Sequence, residues 1–106
     1  LQRAMGAALL AEPVSARQAE SWGMIWEAVP DDRFAEIVAA HAGKLAQGPT
    51  GAYAALKQAL RGAFDQSLDQ QLAIEASLQG RCGASADFRE GVQAFVDKRP
   101  PNWKGQ

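Results

Sequence analysis

The side chains able to do chemistry in this 106-residue chain are Phe95 with Lys98, Glu75, His41 and Lys57. Phe95 and Lys98 stand three residues apart in the run Ser85 to Lys104, where Phe88, Val92, Phe95 and Val96 repeat at helical spacing. One helix face therefore carries an aromatic ring beside an ammonium. That face reads either as the edge of a core with a snorkelling lysine, or as a pad for a ligand with a flat base and phosphates. Glu75 falls near the middle of the apolar arc Leu68, Leu72, Ile74, Ala76, Leu78 and Cys82. A carboxylate there must be paired, protonated or at an interface. As a general acid or base it would want a raised pKa and a companion group. No second carboxylate or nucleophile accompanies it, so a salt bridge to Lys57, Arg81, Arg89 or another subunit is the expected role. His41 shares a stripe with Phe34, Ile37, Val38 and Leu45, and without a second ligand it reads as a hydrogen-bonded core residue. Lys57 borders the stripe Tyr53, Leu56, Leu60 and Phe64 and reads as a snorkelling lysine before a ligand contact. No residue is assigned as catalytic or as a metal ligand.

The elements that must position these residues are mainly helical. Leu1 to Glu12 predicts a helix rich in small residues with almost no polar face, which needs neighbours on more than one side; Pro13 ends it. Ser15-Ala16-Arg17-Gln18 is a capping box opening a short helix to Trp22, with Gly23 as its left-handed stop. Met24 to Val29 predicts a single extended strand whose partner is nowhere else in the sequence. Asp31 or Asp32 should cap a third helix to about Gln47, and Pro49 suits the first position of a fourth. Ser67-Leu68-Asp69-Gln70 is a second capping box, opening a fifth helix to about Cys82. In the sixth, Ser85 is the N-cap, Asp87 meets the helix dipole, Lys98 and Arg99 occupy the last turn, and Pro100-Pro101 stop it.

Composition narrows the class of function. With 47% hydrophobic and 22% charged residues, the chain is ordinary for a globular protein. A net charge of −1 without a basic patch gives no footprint for nucleic acid or an anionic membrane. The single Cys82 excludes an internal disulfide and, with no cysteine/histidine cluster, argues against structural zinc; a reducing cytoplasm fits. There is no glycine-rich phosphate loop and no apolar run of transmembrane length. A first residue of Leu1 and a partnerless strand suggest a piece of a longer protein.

The pattern D-x-x-E-G-V-x-A-F-x-x-K-R-x-P, at Asp87, Glu90, Gly91, Val92, Ala94, Phe95, Lys98, Arg99 and Pro101, resembles the C-terminal signature of the crotonase family of enoyl-CoA hydratases and isomerases. Ser15 to Ile25, Val29-Pro30, Gly48 to Thr50 and Lys57 are also similar to that family's pattern. The run from Leu68 to Val92, followed by Lys98 to Gly105, looks most like its phenylacetate-pathway branch, which isomerises a ring epoxide to an oxepin as CoA thioesters. The resemblance implies the helical C-terminal region of the crotonase fold, five or six helices with one short extended segment. Residues 1–30 would end the core, and 31–106 would form an oligomerising region that closes the CoA pocket. It implies a trimer or dimer of trimers, an acyl-CoA substrate, and no cofactor besides the CoA carried by that substrate. Phe95 and Lys98 match positions that bring a ring and an ammonium to CoA. The oxyanion N–H groups and the acid/base carboxylates would lie upstream, leaving this chain inactive alone. Trp26, Trp103 and Ala11-Glu12 depart from the family's usual residues. A general 2-enoyl-CoA hydratase of fatty-acid oxidation and a non-catalytic helical association module remain as alternatives.

Overall fold

A computed structural model describes all residues, 1–106. The chain forms two compact units, Leu1–Ala39 and Ala40–Gln106, with six α-helices and no strand.

In the first unit, α1 (Gln2–Leu10) ends at Ala11, which turns left-handed at φ 51° and donates its N–H to the Ala7 carbonyl at 3.2 Å. None of its side chains is buried, as a helix without a polar face must be when this unit supplies little to cover it. In α2 (Ala16–Ser21), the Ser15 hydroxyl accepts the Gln18 N–H at 3.2 Å, the serine half of the expected capping box. Gly23 stops the helix at φ 74°, and the Met24 N–H reaches back to the Ala19 carbonyl at 2.9 Å. This is the closing bond of a glycine-terminated helix, made possible by the left-handed turn that glycine adopts without a Cβ penalty.

The expected strand at Met24–Val29 does not form. Met24–Trp26 is a bend and Glu27–Pro30 has no regular structure. A strand needs a neighbour to take its N–H and C=O groups, and no other segment of the chain is extended beside it. The expected aspartate cap also fails: Asp31–Arg33 is a single 3-10 turn with Pro30 at its start and no side-chain cap. It leads into α3 (Phe34–Ala46), which runs through the boundary of the two units.

The second unit holds the end of α3, then α4 (Thr50–Gly62), α5 (Leu68–Gly83), α6 (Ala86–Asp97) and the tail 98–106. Helix α4 packs on α5, and α5 on α6. Pro49 sits at the N-cap of α4, one position earlier than expected. Gly48 is buried under the Tyr53 ring, so closely that a side chain at 48 would occupy the phenol's place. The second capping box is complete: the Gln70 N–H reaches the Ser67 hydroxyl at 3.3 Å, and the Gln70 side chain accepts the Ser67 N–H at 2.9 Å. Across the α4–α5 contact, the Gln71 amide reaches the Ala59 carbonyl at 3.4 Å and Arg81 reaches Gln58 at 3.1 Å.

The apolar core is small: Leu78 of α5 and Ala94 of α6, the latter 1% exposed. The stripe of α4 is not the buried one its periodicity predicts. Leu56 and Leu60 are exposed and Phe64 is 100% exposed. No helix is long and apolar enough to cross a membrane.

Candidate functional site

Ser85 starts α6 as expected, its hydroxyl accepting the Phe88 N–H at 3.0 Å. The helix does not run into the two prolines. Lys98 adopts the left-handed conformation (φ 53°, ψ 41°), and the Arg99 N–H returns to the Ala94 carbonyl at 3.1 Å. Arg99 therefore lies outside the helix rather than in its last turn. The left-handed region disfavours any residue with a Cβ by roughly 1 kcal/mol or more, so something must hold Lys98 there.

Backbone bonds close that turn, the Arg99 N–H on the Ala94 carbonyl and the Lys98 N–H on the Phe95 carbonyl at 3.3 Å, and Glu90 ties down the residues that follow it. Its Oε1 accepts from Arg99 Nη1 at 2.6 Å and its Oε2 from Nη2 at 3.0 Å, a fork-to-fork pair. Oε1 also accepts the backbone N–H of Asn102 at 2.8 Å. The Arg99 hydrogen bonds, then that of Asn102, pull the Glu90 carboxyl from 4.5 down to about 2. The same pairing raises Arg99 above its ordinary value.

Asp87 completes the attachment of the tail. It is 6% exposed, with Oδ1 accepting the Lys104 N–H and Oδ2 the Gly105 N–H, each at 2.8 Å. Its own N–H donates to the Gln106 carbonyl at 2.8 Å. Between these two anchors the Trp103 ring lies on Gly91, where an added Cβ would stand 2.8 Å from it. Gly105, at φ 76°, packs on Thr50 at the start of α4. Two carboxylates one turn apart thus fold the tail back along α6.

Helices α4, α5 and α6 and the tail bound an open cavity of about 730 Å³, with Gly51, Ala55, Phe88, Val92, Phe95 and Trp103 in its mostly apolar wall. Phe95 is 85% exposed at its rim. Phe88, Val92 and Val96 are likewise exposed, so residues 1–106 do not themselves cover this face. Lys98 stands three residues on, exposed at the corner where the tail turns back.

The remaining candidates do not converge on this corner. Glu75 is exposed on α5 and accepts from the Gln71 amide at 2.7 Å. The expected salt bridges to Arg81 and Arg89 do not form, because Arg81 bonds Gln58 and Arg89 bonds the Ala84 carbonyl at 3.3 Å. His41 is exposed on α3 rather than in a core, and Lys57 is exposed on α4. Sequence reasoning missed the tail attachment: Asp87 read as a dipole partner and Glu90 only as a motif position. The available signal was an acid pair on one face of a helix, followed by an arginine and a proline-directed reversal.

The family model for enoyl-CoA hydratase/isomerase matches residues 1–106. The chain is 53% identical over all of its length to a Rhodobacter capsulatus protein named "Probable enoyl-CoA hydratase", of which it covers 41%. It is 46% identical over 98% of its length to the 1,2-epoxyphenylacetyl-CoA isomerase of Escherichia coli, covering 40% of that enzyme. An enoyl-CoA hydratase/isomerase structure from Mycobacterium paratuberculosis superposes over 100% of the chain and 42% of its own, with TM-score 0.91 and 28% identity. The chain thus spans about two-fifths of the length of these relatives. A match over every residue, in sequence and in helical architecture, places the chain in the enoyl-CoA hydratase/isomerase family.

Proposed function

We propose that the protein acts on CoA thioesters through an enolate whose oxygen is stabilised by backbone N–H groups, and that residues 1–106 supply the helical region holding the CoA. The observation carrying this reading is the α6 corner, an exposed ring at Phe95 and an exposed ammonium at Lys98 fixed in relative position by the helix end. Phe95 would pack against the adenine or the pantetheine arm. Lys98 would meet a phosphate as a point charge, which a compact, strongly hydrated ammonium does without needing a planar partner.

None of the titratable groups at this corner is arranged for proton transfer. Asp87 and Glu90 are committed to holding the tail, and a base must instead be within hydrogen-bond reach of the proton it takes. The acid/base carboxylates and the oxyanion N–H donors are accordingly assigned outside these residues, with no metal and no cofactor beyond the CoA of the substrate. The exposed apolar faces of α4 and α6 would be covered by the rest of the polypeptide and by neighbouring subunits in a trimer or dimer of trimers. A reducing cytoplasm suits the single Cys82.

For the acyl group we favour the ring-epoxide of phenylacetyl-CoA, supported by the run from Leu68 to Val92 and by the 46% identity to the Escherichia coli isomerase. A general 2-enoyl-CoA hydratase is the second reading, favoured by the 53% identity to the Rhodobacter capsulatus protein. A helical association module without catalysis is the reading favoured by the bare apolar faces alone. The test is to supply full-length protein with crotonyl-CoA and with ring-1,2-epoxyphenylacetyl-CoA. Consumption of the epoxide supports the first reading, hydration of crotonyl-CoA the second, and consumption of neither the module. Residues 1–106 alone should turn over neither ester.

A further inference from the structure

We propose that Glu90 is a positioning residue for Lys98, acting through Arg99 and Asn102, so that a carboxylate that never touches the ligand sets the affinity for its phosphates. The inference rests on the proposed CoA-holding role of Lys98. Lys98 occupies a left-handed conformation that a lysine does not favour by itself. Helix α6 ends there, and the next residue is gripped at both terminal guanidinium nitrogens by Glu90, at 2.6 and 3.0 Å. Three residues later the Asn102 N–H meets the same carboxylate at 2.8 Å. Lys98 is thus the free-standing corner of a loop closed at both ends on one side chain. Arg99 also touches Asp97 at 3.4 Å, so both residues flanking Lys98 belong to the same charged cluster.

Without the Glu90 carboxylate the loop from Lys98 to Asn102 keeps the Arg99 N–H bond to the Ala94 carbonyl and the Asp97 contact, but loses the fork on Arg99 and the bond to Asn102 that limit its movement. Asp87 still holds Lys104 and Gly105, so the end of the tail stays in place. The fraction of molecules presenting Lys98 correctly then falls, and the apparent dissociation constant rises by at most the inverse of that fraction. The effect is confined to ligand atoms that Lys98 reaches. Phe95 sits within the helix and keeps its place, so a ligand lacking phosphates has little to lose.

The experiment measures binding of CoA and of pantetheine, its phosphate-free arm, to the full-length protein by titration calorimetry. Glu90→Ala should weaken CoA roughly fivefold, short of the loss on Lys98→Ala, because molecules with Lys98 misplaced still bind through the rest of the site. Glu90→Gln keeps one acceptor for Asn102 but turns an amide donor toward Arg99, so it should recover only part of the loss, and neither variant should move the pantetheine affinity. An equal loss for CoA and pantetheine would reveal a general structural defect and overturn the inference. CoA affinity unchanged in Glu90→Ala but weakened in Lys98→Ala would overturn the inference while leaving the CoA-holding role intact. CoA affinity unchanged in Lys98→Ala would overturn both. If Glu90→Ala does not fold, Arg99→Lys, which keeps the charge but not the fork, should weaken CoA about threefold, with pantetheine again unaffected; no change would count against the inference.

Discussion

At the scale of single residues, the end of this chain is governed by two carboxylates with separate tasks. Asp87 is buried with both oxygens accepting backbone N–H groups. Replacing it by alanine leaves the Lys104 and Gly105 N–H groups without acceptors, at a cost of about 1–3 kcal/mol. Asp87→Ala should therefore lower the melting temperature of the full-length protein and speed hydrogen exchange at those two amides. Glu90 is held at about 2, below its ordinary 4.5, by Arg99 and Asn102. A carboxyl with a depressed pKa contributes stability that is present above its ordinary value and lost as pH falls toward the depressed one. The attachment should thus be unchanged between pH 5 and 8 and released between about 4.5 and 2. Exchange at the Asn102 amide followed against pH checks this, and release near neutrality would contradict it. Neither task was legible from residue types, because a dipole partner and a tail anchor are the same aspartate in sequence. What distinguishes them is where residues 102–106 return, which is a long-range fact.

At the scale of elements, capping chemistry was readable and tertiary consequences were not. Ser15, Ser67 and Ser85 all begin helices as their spacing predicts, since an N-cap is decided by groups three residues apart. Gly23 likewise ends α2 because the requirement for positive φ is local. The Met24–Val29 strand failed because a strand is completed only by a partner, and none lies in the chain. The end of α6 was misplaced for a related reason. Prolines at 100 and 101 limit where a helix can continue, yet the Glu90–Arg99 pair draws the chain away two residues earlier. The fit of Trp103 on Gly91 gives a test at this scale. Gly91→Ala places a methyl 2.8 Å from the indole and should destabilise the full-length protein by about 1–3 kcal/mol. Adding Trp103→Ala should remove most of that penalty, a coupling that a double-mutant cycle by chemical denaturation measures. Additive costs would show that the ring and the glycine do not bear on each other.

At the scale of the whole molecule, the helices were legible as helices but their partners were not. Periodicity marks which face of α4 or α6 is apolar, without saying that the covering surface lies within the same 106 residues. Within the second unit Leu60, Phe64 and Phe95 all stand exposed. Residues 1–106 alone should therefore bind an apolar dye strongly and self-associate, whereas the full-length protein should bind little. The family was legible because the motif from Asp87 to Pro101 lies within one helix and its turn, and the matched relatives agree over the whole chain. The measurement that bears most directly on the proposed division of labour is the steady-state kinetics of Lys98→Ala in the full-length protein, with whichever of the two proposed CoA esters it consumes. A group that holds the CoA equally in ground and transition states should raise KM by about tenfold and leave kcat within about twofold. A collapse of kcat would place the chemistry in this region, and unchanged KM and kcat would remove Lys98 from the site; either result contradicts the account.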